Sequence, residues 1–253
     1  MNLRKIKAHF RKIRLKQKAK LQQERNQYIK RLNHDIKTPI LAHIQTLELL
    51  KKGVFGKINS PQKEILTDII KSHYFILQVI VNTIFILNYE NEEYKPNKEK
   101  IDIVEHIQDC INSIKNYAKD KEQEIIFNAP SSLEILADKK IVQKIIYNIL
   151  QSSIESGLEK SEIEISLREN KKQIFFSAKN RSVYMSKEKV NSLFDEKSDT
   201  LKDFNQLGMS LNLNIAKKLI KAQNWDIIAK SKKDNSATFG FIVDKQRFFE
   251  WTF

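Results

Sequence analysis

Six consecutive residues, His34-Asp35-Ile36-Lys37-Thr38-Pro39, put an imidazole beside a carboxylate with a helix-distorting proline five positions on. An imidazole accepts a phosphoryl group well only when one ring nitrogen holds its proton and the other is free to attack. An adjacent carboxylate can accept the N–H of one nitrogen and raise the basicity of the other. Pro39 cannot donate a backbone hydrogen bond, and its ring crowds the carbonyl of Asp35 four residues back. The spacing therefore predicts a helix that loosens beside the reactive pair. The other histidines, His9, His43, His73 and His106, stand in no such run and read as packing or solvent-facing groups.

This run resembles the phosphoacceptor box of the two-component sensor histidine kinases, with its pattern His-acid-apolar-Lys/Arg-Thr-Pro. The resemblance implies that His34 carries a phosphoryl group, that Asp35 is its general base and orienter, and that Thr38 positions water for the reverse, phosphatase reaction. It implies transfer to an aspartate on a response-regulator receiver domain.

The elements that must hold these residues are long helices. Only five Gly and four Pro occur in 253 residues, which disfavours a loop-rich fold. Residues 1–51 read as one nearly uninterrupted helix, with Leu3, Ile6, Phe10 and Ile13 spaced three and four apart and Leu32, Ile36, Ile40, Ile44 and Leu47 continuing an apolar face. Residues 51–61, with two glycines and a proline, read as a turn. Ser60-Pro61 reads as a helix start with proline at the first position. A second helix runs over about 62–88, its core face formed by Leu66, Ile69, Ile70, His73, Ile76, Leu77, Ile80, Ile84 and Leu87. A lone hairpin cannot bury faces this wide, so the pattern implies a homodimer that pairs two hairpins into a four-helix bundle.

Beyond a polar linker broken by Pro96, helices alternate with short strands: helices over 103–118, 139–155 (capped by Asp138) and 211–222, and strands over 124–127, 133–136, 163–167, 173–178, 226–230 and 237–243. The fold class expected is thus α plus α+β, a dimeric helical-hairpin bundle followed by an α/β sandwich with helices on one face of a mixed sheet. The organisation is a basic amphipathic lead-in (1–25), a dimerisation and histidine phosphotransfer domain (26–90), a linker (91–100), a nucleotide-type domain (101–245) and a tail (246–253).

From Ile101 to Val243 the order of elements resembles the ATP-binding domain of histidine kinases. The resemblance implies ATP and Mg²⁺ as cofactors. Asn148 holds the first position of the family's paired asparagines, and Ser152 stands where the second, the principal magnesium ligand, is expected. Glu155 falls where relatives place a phosphate-facing lysine, and a carboxylate there repels a triphosphate. Asn180 replaces the aspartate that accepts from the adenine amino group and keeps an acceptor oxygen. Ser182 and Tyr184 replace glycines nearby. Gly208 keeps one glycine of the last phosphate loop, in which Ser210 and Asn212 replace the other two, and Thr238 follows the pattern of the closing strand. Of the five glycines, Gly53 and Gly56 belong to the hairpin turn, Gly157 follows the asparagine helix and Gly240 lies in a strand, so Gly208 alone serves the phosphate loops.

Composition narrows the rest. The single Cys110 excludes an internal disulfide and cysteine-based zinc sites, reads as a small buried hydrophobe and suits the cytosol. The net charge of +14 is concentrated in residues 1–25, which hold ten Lys/Arg and one acid, Glu24. Residues 1–15 are too charged for a signal peptide, and the uncharged stretch 72–89 reads as a helix buried on most sides within a bundle rather than a membrane span. Three functions stay open: a cytoplasmic autokinase phosphorylating His34 from ATP, a phosphotransferase or pseudokinase with an eroded ATP domain, and a non-enzymatic dimeric scaffold whose residues 1–25 bind an anionic membrane surface or a partner. Basicity without an aromatic stacking run argues against nucleic acid.

Overall fold

The computed structural model describes residues 3–89, 97–194 and 204–248. The chain divides into two compact units, Met1–Tyr94 and Lys95–Phe253. The 91–96 part of the expected linker and the tail beyond 248 lie outside the described residues.

The first unit is a hairpin of α1 (Leu3–Lys51) and α2 (Ser60–Tyr89). Gly53 and Gly56 turn the chain with φ of 75° and 137°. The start of α2 differs from the expectation. Asn59, not Ser60, is the cap: the Gln62 N–H donates to Asn59 Oδ1 and the Asn59 N–H donates to Gln62 Oε1, each at 2.9 Å. Pro61 therefore sits at the second helical position, where its missing N–H still costs nothing. Ile29, Ile44, Ile70 and Asn82 are buried between the helices. Leu66, Leu77, Ile80 and Ile84 are half-buried, whereas Leu49, Ile65, Ile69, Ile76 and Leu87 stay exposed within one chain. By length and composition Ser60–Leu87 could cross a membrane, and only 11% of its most apolar window is buried, so the helix expected to be buried on most sides is not so within a single hairpin.

The second unit is a layer of helices on a sheet. β2 (Glu124–Asn128), β4 (Glu162–Glu169), β5 (Gln173–Arg181), β7 (Ser236–Asp244) and β6 (Asp226–Lys232) form one sheet in the order β2-β4-β5-β7-β6. The β2–β4 pair is parallel and the others antiparallel, so the sheet is mixed. β1 (Lys98–Asp102) and β3 (Glu134–Asp138) form a separate antiparallel pair. α3 (Ile103–Asp120), α4 (Lys139–Ser156) and α6 (Phe204–Ala222) pack side by side against the five-stranded sheet. Alternation fixes the faces: Ile174, Phe176, Ala178 and Asn180 of β5 and Ala237, Phe239, Phe241 and Val243 of β7 are buried beneath the helices. Phe176 and Trp225 both stack on Phe241 with ring centroids 5.0 Å apart.

Asp138 caps α4 as expected, accepting from the N–H groups of Lys140 (2.9 Å) and Ile141 (3.2 Å). Asp102 does the same for α3 through Val104 at 2.9 Å. Three elements depart from the expectation. β1 occupies the end of the presumed linker; its Lys98-Glu99-Lys100 run has no apolar alternation and is a strand only because β3 pairs with it. The short α5 (Lys187–Ser192), capped by Ser186, carries too few residues for a periodic signal. α6 begins at Phe204, seven residues before the expected Leu211.

Candidate functional site

In the first unit His34 and Asp35 are both open to solvent, their side chains 78% and 72% exposed, with His34 Nδ1 3.2 Å from Asp35 Oδ1. With the proton on Nδ1, the ring donates to the carboxylate and Nε2 keeps its lone pair. The neighbouring acid thus selects the tautomer. Thr38 lies one turn on, exposed on the same side of the helix. α1 remains α-helical from Leu3 to Lys51 with Pro39 inside it. The proline deprives only the Asp35 carbonyl of its N–H partner, on an exposed face. Half-buried Ile36 and Ile40 and buried Ile44 hold the helix against α2 on either side.

In the second unit α4 carries Asn148 and Ser152 one turn apart, both fully buried. Asn148 is a polar amide without a partner: neither its Oδ1 nor its Nδ2 makes a hydrogen bond among the described residues. A buried unpaired amide is destabilising, which marks Asn148 as a group available to a ligand. Ser152 is committed: its hydroxyl donates to the carbonyls of Asn148 (2.8 Å) and Met209 (3.4 Å). Asn180 reaches across from β5, its amide nitrogen donating to the Ser153 carbonyl at 2.5 Å and to Ser156 Oγ at 2.8 Å. Its Oδ1 stays buried without a partner, which leaves the acceptor expected for an amino group. Ser153 and Ser156, which anchor Asn180, are missed by sequence reasoning because nothing local couples α4 to β5. Lys121 is missed for the same reason; its ammonium caps α4 by donating to the carbonyls of Ile154 (2.9 Å) and Glu155 (3.0 Å).

Electrostatics along the same side of α4 are mixed. Burial pushes the Lys144 ammonium down to about 8. Two turns beyond Asn148, half-buried Glu155 accepts from Gln151 Nε2 at 3.2 Å. Burial, and next the Glu155 charge, hold the Tyr117 and Tyr147 phenols above their ordinary value.

The remaining expected ligands do not join these asparagines. Thr238 pairs in register with Lys179 and Lys230, one position out of phase with the Asn180–Ala237 pair, so it lies on the sheet face away from the helices. Gly208 and Asn212 lie inside α6 rather than in a loop. The physical reason is the loss of two glycines: Ser210 and Asn212 carry less helix penalty than glycine, so the helix propagates back through the expected loop. It is fastened there by Ser210 Oγ, which donates to the Leu193 carbonyl at 3.0 Å, and by Asn214 and Lys217, which both reach the Phe194 carbonyl at 3.4 Å. Asn148 and the Asn180 acceptor therefore fit the purine and metal ends of a nucleotide, whereas Glu155, committed Ser152 and helical Gly208 do not provide a phosphate cradle.

Residues 137–247 match the family described as histidine kinase-, DNA gyrase B-, and HSP90-like ATPase. The chain is 23% identical over 233 residues to the sensor histidine kinase WalK of Bacillus subtilis (strain 168), covering 90% of this chain and 38% of that protein. It is 25% identical over 241 residues to the sensor protein VanS of Enterococcus faecium, covering 91% of this chain and 62% of that protein. The chain thus spans less than two thirds of these relatives' length. Its fold is similar to that of full-length ShkA in complex with AMPPNP, with a TM-score of 0.60 and 18% identity over 86% of this chain and 45% of that one. It is similar also to histidine kinase ThkA in complex with the response regulator protein TrrA, with a TM-score of 0.58 and 20% identity over 85% of this chain and 60% of that one. With a match to the ATPase family over residues 137–247, a helical hairpin carrying His34 ahead of it, and sensor kinases aligned along nine tenths of its length, the chain is similar to the two-component sensor histidine kinases.

Proposed function

We propose that this chain is a cytoplasmic, homodimeric histidine kinase that takes a phosphoryl group on His34 and passes it to an aspartate of a separate response regulator. The observation that carries this is the solvent-open His34–Asp35 pair at 3.2 Å. Asp35 holds the Nδ1 proton, Nε2 is the free nucleophile, and the carboxylate stabilises the charge that the ring acquires on attack. Exposure of both groups suits His34 to a site that must meet two partners in turn, a donor domain and a receiver. Asn180 would hold the adenine of ATP, Asn148 would ligate its Mg²⁺, and ATP when bound supplies the phosphoryl group. Thr38, one turn along from His34, would position water for dephosphorylation. The ThkA–TrrA complex among similar folds supports a receiver domain as the partner.

A second function is favoured by a specific observation: α6 is helical where a phosphate loop is expected, and Met209 accepts a hydrogen bond from Ser152. On this account His34 exchanges phosphoryl groups with receivers but is not charged from ATP. Labelled ATP with Mg²⁺, beside a His34→Ala variant, separates the two. Acid-labile label on the parent alone supports autokinase. Label gained only from an acetyl-phosphate-charged receiver supports phosphotransfer. No label from either donor on a folded dimer overturns both.

A further inference from the structure

We propose that the amino-terminal part of α1 is an interfacial helix that lies on an anionic membrane surface. Arg25 donates to the Leu87 carbonyl at 3.4 Å, two residues short of the end of α2 at Tyr89. The antiparallel geometry leaves the preceding part of α1, about 30 Å of helix at 1.5 Å per residue, with no companion from α2 among the described residues.

The residues of this segment are sorted around the helix. Leu3, Ile6, Phe10 and Ile13, continued by Leu21, share one side by their spacing. Lys7, Arg11, Arg14 and Lys18 follow a three-and-four spacing on one flank of that stripe, and Lys5, Lys12, Lys16 and Lys20 fall on the other. Arg14, Lys16, Lys20 and Arg25 are exposed, and Leu21 is 70% exposed. An apolar stripe between two basic flanks buries its apolar side at the lipid boundary while the cations meet acidic headgroups.

Charge chooses this occupant over the alternatives. A second copy of the helix laid along the stripe would bring Lys and Arg flanks together, with no acidic residue before Glu24 to compensate. A nucleic acid would satisfy the cations but leave Leu3, Ile6, Phe10 and Ile13 in water. Only an anionic surface with an apolar layer beneath it meets both halves of the pattern.

The test is sedimentation of the full chain with vesicles of equimolar phosphatidylglycerol and phosphatidylcholine, and with phosphatidylcholine alone. Binding to the mixed vesicles only, weakening about tenfold as salt rises from about 0.1 to 0.5 M, is expected. The Arg11→Glu/Arg14→Glu/Lys18→Glu variant should bind about a hundredfold more weakly. The Phe10→Ser/Ile13→Ser variant should lose at least tenfold while keeping the parent's circular dichroism. No sedimentation by the parent overturns the proposal. So does retention by the triple variant, which would put binding on α2, or full binding by the serine variant, which would mean adsorption by charge alone. Tighter binding to duplex DNA than to the mixed vesicles, unaffected by the serine changes, overturns it in favour of a nucleic-acid arm.

Discussion

At His34 the outcome of the chemistry turns on which ring nitrogen keeps its proton, and Asp35 alone decides that among the described contacts. Asp35→Asn keeps the size of the side chain but loses the charge that stabilises the cationic ring. It should slow the initial rate of phosphohistidine formation by about a hundredfold, whereas His34→Ala should abolish it. Because both residues are exposed, urea unfolding of either variant should stay within about 0.5 kcal/mol of the parent. Lys144 offers a pH-dependent test on α4. Its folded-state pKa is lowered by burial to about 8, below its ordinary 10.5. Below pH 8 the ammonium is charged in both states and its burial disfavours folding. Between about pH 8 and 10.5 the folded state sheds the proton first, so this contribution to stability rises with pH. Lys144→Met should therefore raise the unfolding free energy at pH 7 by about 1 kcal/mol, with the difference fading by pH 10. Both asparagine positions are legible in the sequence as polar groups in the right elements. That their amide oxygens lack partners is visible only once the surrounding backbone is placed.

The elements differ in how local their causes are. The hairpin, the Asp138 cap and α3 follow from apolar periodicity and capping chemistry within a few residues, and they read directly from the chain. The Asn59–Gln62 reciprocal cap is local too. Asn59→Ala should cost about 1 kcal/mol in urea unfolding, with the loss confined to the hairpin in hydrogen exchange. Gly240 has a non-local cause: a Cβ there would overlap the Phe176 carbonyl of β5. Gly240→Ala should destabilise the second unit by about 3 kcal/mol or more, seen as a lowered thermal midpoint. α6 lies between these cases. Its helical residues extend across Gly208 because two glycines are gone, and what stops or continues it is the fastening of Ser210, Asn214 and Lys217 to the end of α5.

For the whole molecule, the exposed Leu49, Ile65, Ile69 and Ile76 are the strongest reason to expect a second copy. Each such side chain contributes about 1.5–3 kcal/mol when fully covered, enough together to drive association. Light scattering should give twice the 29.8 kDa chain mass. Ile76→Glu, at a position 45% exposed in the single hairpin, should shift the particle to monomer without loss of helix. It should reduce phosphohistidine formation as well, if the donor domain and His34 belong to different protomers.

The amino-acid sequence by itself determined the His34–Pro39 run, the two long helices, the order of the second unit's main elements and the concentration of charge at one end. These depend on spacing along the chain, and a helix period or a cap is set within one or two turns. Only tertiary structure decided that Thr238 faces away from Asn180, since a strand's side is fixed by the register of its neighbours. It alone turned Lys98–Asp102 into a strand and left Asn148 buried with no hydrogen-bond partner among the described residues. Each of these rests on groups distant in sequence, whose meeting no local pattern encodes.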